Sequence, residues 1–179
     1  MDRRSFVTVM ATAVATIGVT AEAFAAAGAP EDVGPGCEGA VVALKGWINA
    51  LAKKDFDFLE QHLASDFVFT TTPLKTPHGT VIAEQKGKKD FIEQDRHVYR
   101  SDIHFLGVTA RRMGDLVMTL VFAQINEEFR GDLGPQMPTA AEMNAFAKGK
   151  KLGYASGWRE IDGRWQCTSH HVLGEVNLA

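Results

Sequence analysis

Apolar positions recur at helical spacing in the first half of the chain and at strand-like spacing in the second half. Between residues 38 and 53 they recur every three or four residues, which predicts an amphipathic helix. Asp55 can cap a second short helix, and residues 87–100 show a third helical pattern. The spacing of this third helix predicts that Asp95 and Tyr99 share one of its faces.

The strand-like segments are rich in β-branched and aromatic residues. Residues 66–72 form one such segment, which ends at Pro73. Residues 103–112 and 116–129 predict a hairpin around a Met113-Gly114-Asp115 turn. Because helices come early and long antiparallel strands come late, the order favours an α+β fold with a curved sheet wrapped around helices. It does not indicate a Rossmann-type alternation.

A closing hairpin is the most informative segment of the sequence. Asp162-Gly163 separates two strand-like runs, and this pair is typical of a tight turn whose central residues both have positive φ. Unbroken alternation from this turn puts Tyr154 opposite His171, on one aromatic face with Trp158. The same alternation puts His170 on the wet face, and one β-bulge after the turn would exchange the two histidines. The aromatic face is typical of a small-molecule pocket, although a core face with hydrogen-bonded polar groups fits equally well.

Residues 1–27 have the pattern of an export signal and are excluded from the predicted domain. Arg3-Arg4 precede an apolar stretch diluted by threonine and glycine, and Ala23-Phe24-Ala25 offers a small-x-small cleavage site. The paired arginines resemble a twin-arginine signal, which predicts a periplasmic or secreted protein. An uncleaved anchor is the alternative, but the apolar stretch is short for a membrane span.

Residues 28–179 have the length of one ordinary domain. The formal net charge is −3, and no basic stripe is interleaved with aromatic residues, so we expect no nucleic-acid partner. Cys37 and Cys167 do not make a disulfide framework; an export compartment would permit a bridge, but we expect two isolated cysteines. No metal motif is visible, because adjacent histidines on a regular strand point to opposite faces. We expect neither a metal nor a cofactor.

Several segments resemble the SnoaL-like branch of the nuclear transport factor 2-like superfamily. They are residues 50–55, residues 59–69, the helix opening at 87–91 and the Trp-x-x-x-Asp-Gly-x-Trp pattern within residues 154–165. The resemblance implies a cone-shaped barrel, in which a strongly curved mixed or antiparallel sheet wraps on three helices around a deep apolar pocket. It also implies a homodimer. Members include ketosteroid isomerases, dehydratases, cyclases, epoxide hydrolases and non-catalytic binding modules, so the fold alone does not identify the chemistry.

General acid–base chemistry in an apolar pocket is how the enzymatic members of this superfamily work. His171, next to Tyr154, is the first candidate for proton transfer, and His97 is the second. Asp95 could orient a pocket histidine, and either Tyr154 or Tyr99 could donate to a developing enolate oxygen. The alternatives are a hydrogen-bonded core histidine at 171, a surface histidine at 97 and a solvated carboxylate at 95.

Six further residues are candidates for contacting the bound compound. Trp158 lies on the aromatic face of the hairpin, Tyr99 on the predicted third helix, Phe122 and Asn126 on the long strand, and Met143 and Phe146 in an insert at residues 130–151. Residues 130–151 exceed what a hairpin connection needs, and Thr139 opens a capping box before a short helix through Ala147. This insert is either a lid over the pocket, a segment that packs in a dimer interface, or a disordered loop.

The sequence therefore favours an exported, cofactor-free lyase or isomerase that acts on a small apolar compound, aromatic or carbonyl-bearing. Two other functions are compatible with the same residues. One is a non-catalytic domain that binds a small ligand, and the other is a dimeric interaction subunit that uses the outer sheet face.

Overall fold

The computed structural model describes residues 31–75, 81–82, 85–133 and 139–176. Its helices are α1 (Glu38–Lys53), α2 (Phe56–His62), α3 (Lys88–Asp95) and α4 (Ala140–Ala147). Its strands are β1 (Asp32–Val33), β2 (Leu63–Thr71), β3 (Leu74–Lys75), β4 (Val81–Ile82), β5 (Gln85–Gly87), β6 (Val98–Met113), β7 (Leu116–Phe129), β8 (Lys151–Ile161) and β9 (Arg164–Glu175). No helix in these ranges has both the length and the apolar character needed to cross a membrane.

Seven strands form one mixed sheet in the order β1-β6-β7-β8-β9-β2-β5, and β3 pairs with β4 separately. The β1–β6 and β2–β9 pairs are parallel, and the other pairs of the large sheet are antiparallel. The sheet curls around the helices but does not close, because β1 and β5 stay at its two edges within the described residues. The predicted α+β class and strongly curved sheet are confirmed.

Helix α1 fills the concave side of the sheet because one of its faces is apolar. Leu44, Trp47, Ile48 and Leu51 are buried at helical spacing. They belong to one core with residues of β2, β6, β7, β8 and β9. The helix ends at Lys53, and the capping residue Lys54 has a left-handed backbone (φ 60°) and places its side chain toward α3. The long helix thus forms the floor on which the sheet curls.

Helix α3 is shorter than the sequence predicts, since it ends at Asp95 instead of Arg100. Val98, Tyr99 and Arg100 belong to β6, where they pair with Phe129, Glu128 and Glu127. A β-branched and an aromatic residue favour the extended backbone, and pairing with β7 satisfies its hydrogen bonds. The predicted helical face shared by Asp95 and Tyr99 is therefore wrong.

The closing hairpin forms as predicted at its turn but not along its whole length. Asp162 and Gly163 both have positive φ, at 52° and 73°, and Ile161 pairs with Arg164. The pairing then shifts between Trp158, which lies opposite Cys167, and Gly157, which lies opposite Ser169.

Thr168 is the extra residue of this bulge, and its hydroxyl donates to the Gly157 carbonyl oxygen at 3.2 Å. Beyond the bulge, His170 lies opposite Ser156 and His171 lies opposite Ala155. Tyr154 lies opposite Val172, so its predicted pairing with His171 is wrong. One inserted residue has reversed which histidine faces the concave side.

Both cysteines are buried free thiols, so Cys37 and Cys167 are not bridged. Burial raises the pKa of each thiol, with a much larger effect on Cys167. In the insert, α4 begins at the predicted capping box, in which Thr139 and Glu142 cap each other's backbone. The proposed export signal lies outside the described residues.

Candidate functional site

A cavity of about 160 Å³ lies between the helices and the concave face of the sheet. Every helix of the described chain except α2 contributes to its wall, together with strands β2, β6, β7, β8 and β9. Most of the wall is apolar or aromatic, and these residues include Trp47, Ile48, Leu51, Phe69, Phe91, Ile125, Phe129 and Val172. An apolar cavity with a few polar groups is the usual form of a small-molecule site.

His170 lies on the cavity wall and is held by neighbours on both sides of its ring. Its Nδ1 is 2.8 Å from the hydroxyl of Ser156, which is fully buried. Trp47 packs edge-on at 4.6 Å between ring centroids, and Tyr154 stacks at 5.4 Å. Within the described residues, its other nitrogen, Nε2, makes no hydrogen bond. Burial, with a contribution from nearby Arg100, lowers the pKa of His170 to about 3, so the ring is neutral at neutral pH.

Tyr154 provides a second polar atom on the same wall. Its ring is 9% exposed, and its hydroxyl has no hydrogen-bond partner among the described residues. Burial raises the pKa of the phenol far above its usual range, the negative charge of Glu127 adds to this, and Arg100 opposes it. The hydroxyl therefore stays protonated and is available to donate a hydrogen bond to a bound molecule.

A compact ionic network forms the polar part of the wall beside these two rings. Arg100 bridges two carboxylates: it contacts Asp95 through Nη1 and Glu127 through Nε, the latter at 2.9 Å. Asp95 is 2% exposed, and its Oδ2 lies 3.8 Å from Lys54 Nζ without accepting a hydrogen bond from any described residue. Lys54 in turn donates to the Asp95 and Val98 carbonyl oxygens. The network therefore connects the end of α3 to the start of β6 and to the end of α1.

Helix α4 supplies another part of the cavity wall through Met143 and Ala147. Met143 packs on Val98 and Phe129 in a small apolar cluster outside the main core. Asn144 fixes this helix to the end of β7, because its side-chain amide accepts from the Phe129 N–H at 2.6 Å and donates to the Phe129 carbonyl at 3.0 Å. The Phe146 side chain lies outside the described residues.

Three of the predicted contact residues lie away from the cavity. Trp158 is fully buried in the core, where its Nε1 donates to Thr119 Oγ1 at 3.1 Å. Phe122 and Asn126 have the opposite parity to Ile125, which lines the cavity on β7. Asn126 is exposed and donates to Asp102 at 3.0 Å. Their predicted position on the pocket face is wrong because alternation on β7 places them on the opposite face of the sheet, where Phe122 is buried and Asn126 is exposed.

Three other candidates lie away from the cavity for a different reason. Tyr99 is 39% exposed and is sandwiched between Lys54 and Arg130, at 4.6 and 4.1 Å from its ring centroid. His97 is half-buried in the turn between α3 and β6 and does not line the cavity. His171, on the outer face of β9, is 2.5 Å from Thr70 Oγ1 through its Nδ1. The early end of α3 displaces the first two, and the Thr168 bulge displaces the third.

Sequence reasoning missed the ionic network, although one of its members carried a signal. On β7 the odd-numbered positions Val121, Ala123, Ile125 and Phe129 face the core, so Glu127 is a charged residue on an apolar parity. Arg100 carried no such signal because it was assigned to a helix. Within the described residues, no group of histidine, cysteine or acidic side chains is arranged to hold a metal ion.

Comparison with known proteins identifies the fold. No family model matches the sequence, and no curated protein matches it. Among solved structures, an NTF2-like protein from Cytophaga hutchinsonii has a TM-score of 0.58 at 17% identity, covering 79% of this chain and 99% of that one. An NTF2-like protein from Rhodospirillum rubrum, described as of unknown function in nutrient uptake, has a TM-score of 0.56 at 19% identity, covering 76% and 98%.

A proposed dehydratase of the NTF2-like family from Streptomyces avermitilis is similar with a TM-score of 0.51 at 16% identity, covering 78% of this chain and 96% of that one. The chain therefore has an NTF2-like fold, which confirms the predicted superfamily architecture. At these identities the likeness concerns the fold alone, and assignment to the SnoaL-like branch stays a prediction.

Proposed function

We propose that this protein is a cofactor-independent lyase or isomerase that moves a proton within a small, mostly apolar carbonyl compound. One observation carries the proposal: two polar atoms without a partner in the described chain, Tyr154 Oη and His170 Nε2, belong to stacked rings on the wall of an apolar cavity. The proposed proton-transfer pair is still a histidine and a tyrosine, as predicted from the sequence, but the histidine is His170 instead of His171. The similarity to a proposed dehydratase and a proposed ketosteroid isomerase from Shewanella frigidimarina is consistent with this chemistry.

The protonation states of the two groups suit complementary roles. When His170 donates its Nδ1 proton to Ser156, Nε2 carries the lone pair and can accept a proton from carbon. Tyr154 stays un-ionised and can donate to the carbonyl oxygen as negative charge develops there. The same imidazolium can return the proton to another carbon, giving isomerisation, or to a leaving hydroxyl, giving dehydration. In both cases electrons and protons balance without a co-reactant.

The test is a panel of single-ring β,γ-unsaturated ketones and β-hydroxy ketones incubated with the protein in deuterated buffer and followed by NMR. Deuterium exchange next to the carbonyl reports proton abstraction even where no product accumulates. We expect exchange with the wild type and with His171→Ala, and none above background with His170→Ala. Equal exchange by both variants would refute the assignment of His170.

A non-catalytic ligand-binding domain is the second candidate, and a specific observation favours it. A histidine whose pKa is lowered to about 3 is a weak base. The carboxylate of Asp95 is already engaged by two cations, Arg100 and Lys54. If the panel binds, as shown by chemical-shift changes, but never exchanges deuterium, this candidate replaces the enzyme.

We also propose export through the twin-arginine pathway and assembly as a homodimer. Replacing both Arg3 and Arg4 by lysine should retain the protein in the cytoplasm of an expressing bacterium, whereas processed double mutant in the periplasm would contradict the export proposal. Light scattering of the purified protein tests the dimer, and a monomer mass at micromolar concentration would contradict it.

A further inference from the structure

The charged residues on the cavity wall neutralise one another. Arg100 is placed between Asp95 and Glu127, and Lys54 approaches the other oxygen of Asp95. Lys150, the remaining charged residue of the described wall, pairs with Glu175 at 3.2 Å. The four charged lining residues, Asp95, Arg100, Glu127 and Lys150, are two cations and two anions, so the described wall carries no net charge. Lys54 and Glu175, which do not line the cavity, add one charge of each sign behind it. A bound ion would find no unpaired counter-ion among the described lining residues.

Two of the lining side-chain atoms without a hydrogen-bond partner in the described residues, Tyr154 Oη and His170 Nε2, are also uncharged at neutral pH. Tyr154 presents a hydroxyl and His170 a neutral imidazole nitrogen. The rest of the wall is largely apolar, so an ion entering the cavity would lose its hydration and gain little in return. A neutral molecule with one polar group would instead satisfy the Tyr154 hydroxyl and leave its apolar part against the aromatic wall.

We propose that the cavity selects an uncharged, single-ring compound with a carbonyl oxygen, and that it rejects carboxylates and ammonium-type ions of the same shape. The inference rests on the proposed function for the location of the site but not on any turnover there. The size follows from the volume of about 160 Å³, since an apolar cavity of about 150 Å³ in another protein holds benzene. The charge selectivity follows from the neutralised network.

Three compounds of nearly identical shape test the proposal directly: benzamide, which is neutral, benzoate, which is an anion, and benzamidine, which is a cation. Dissociation constants are measured with the purified wild-type protein at neutral pH by NMR titration. We expect benzamide to bind at least roughly tenfold more tightly than either ion, because neither ion recovers its lost hydration. Equal or tighter binding of either ion would overturn the proposal, as would the failure of benzamide to bind at millimolar concentration.

A variant of the network makes the electrostatic cause testable. Glu127→Gln keeps a group able to accept from Arg100 but leaves one positive charge uncompensated beside the cavity. The ratio of the benzoate to the benzamide dissociation constant should then fall by roughly tenfold. Glu128→Gln is the matched control, because the adjacent Glu128 is exposed and pairs with Arg130 instead of a wall residue. An unchanged ratio in a folded Glu127→Gln, or an equal change in the control, would contradict the cause.

The outcomes separate this inference from the proposed chemistry. Selective benzamide binding with no deuterium exchange on the ketone panel would support the inference and refute the enzyme. Exchange on the panel together with tight benzoate binding would support the enzyme and refute the charge selectivity. A tighter dissociation constant for 2-naphthamide than for benzamide would refute the single-ring size.

Discussion

His170 and His171 are neighbours in the chain but lie in opposite environments. His170 faces the cavity, is 5% exposed and is surrounded by Trp47, Phe69 and Tyr154. His171 is half-buried on the outer face of β9. Each ring makes one hydrogen bond through Nδ1 with a hydroxyl group on the neighbouring strand. The hydroxyl belongs to Ser156 on β8 for His170, and to Thr70 on β2 for His171. The hydrogen-bond chemistry is therefore the same, and the degree of burial differs.

This comparison shows that burial, and not local hydrogen bonding, distinguishes a candidate catalytic histidine here. Burial lowers the pKa of both rings, but only for His170 is the fall large, to about 3. Only His170 also stacks on a tyrosine ring and lines the cavity. The two positions can therefore serve as matched test and control in a series of variants.

The largest expected effect is on turnover. His170→Ala should reduce the rate of proton exchange by roughly 10²–10⁴-fold, the usual contribution of one placed acid–base group. His171→Ala should change it less than roughly threefold, because its ring does not reach the cavity. Rates are measured by NMR on the ketone panel, with circular dichroism as the control for folding. A greater loss in His171→Ala would reverse the assignment.

Tyr154→Phe should remove the hydroxyl that, in the proposed function, donates a hydrogen bond to the carbonyl oxygen of the substrate. We expect a loss of roughly 10²–10³-fold in kcat with a small change in KM, since the hydrogen bond strengthens as negative charge develops. The free energy of unfolding should change by less than about 1 kcal/mol, because the hydroxyl has no partner in the described chain. Urea denaturation and steady-state kinetics test both parts. A large loss of stability would instead indicate a structural role for the hydroxyl.

The pH dependence of stability should distinguish the two histidines. The folded-state pKa of His170 is about 3, below the value of about 6.5 in an unfolded chain. Between these values the unfolded chain binds a proton that the folded protein does not bind. Stability from this group is thus complete above the unfolded pKa and falls as the pH decreases, by up to about 1.4 kcal/mol per unit.

Replacing His170 by glutamine should flatten the pH dependence of the unfolding free energy between about pH 6 and about pH 4, a range that lies between these two pKa values. His171→Gln should flatten it less, because burial lowers the pKa of His171 to a smaller extent. Urea unfolding of the three proteins across this range is the measurement. Identical slopes for all three would show that His170 does not stay neutral in the folded protein.

The smallest expected effect concerns the hydroxyl partners. Ser156→Ala leaves the Nδ1 of a buried histidine without a hydrogen bond, which should cost about 1–3 kcal/mol of unfolding free energy. Thr70→Val makes the same change beside His171, where water can replace the lost partner, so we expect less than about 1 kcal/mol. Denaturant unfolding compares the two. A greater cost for Thr70→Val would mean that the outer histidine is the more tightly constrained one.

The sequence predicted much of the fold but only part of the site. The apolar spacing of α1, the Asp162-Gly163 turn, the capping box of α4 and the antiparallel β6–β7 hairpin are all confirmed. These features depend on nearby residues, so the sequence around them is sufficient. The boundary between α3 and β6 was wrong because pairing of Val98 to Arg100 with β7 outweighs their helical spacing.

By itself, the sequence determined the class of fold and the kinds of side chain that could face a pocket: a histidine and a tyrosine on the closing hairpin. The tertiary structure decided which histidine, because a one-residue bulge at Thr168 reverses the parity of β9 from Ser169 to Val172, up to the next register shift. It also decided that Arg100, Asp95 and Glu127 meet. Local preference does not depend on distant strands, whereas side-chain direction and charge pairing depend on how those strands align.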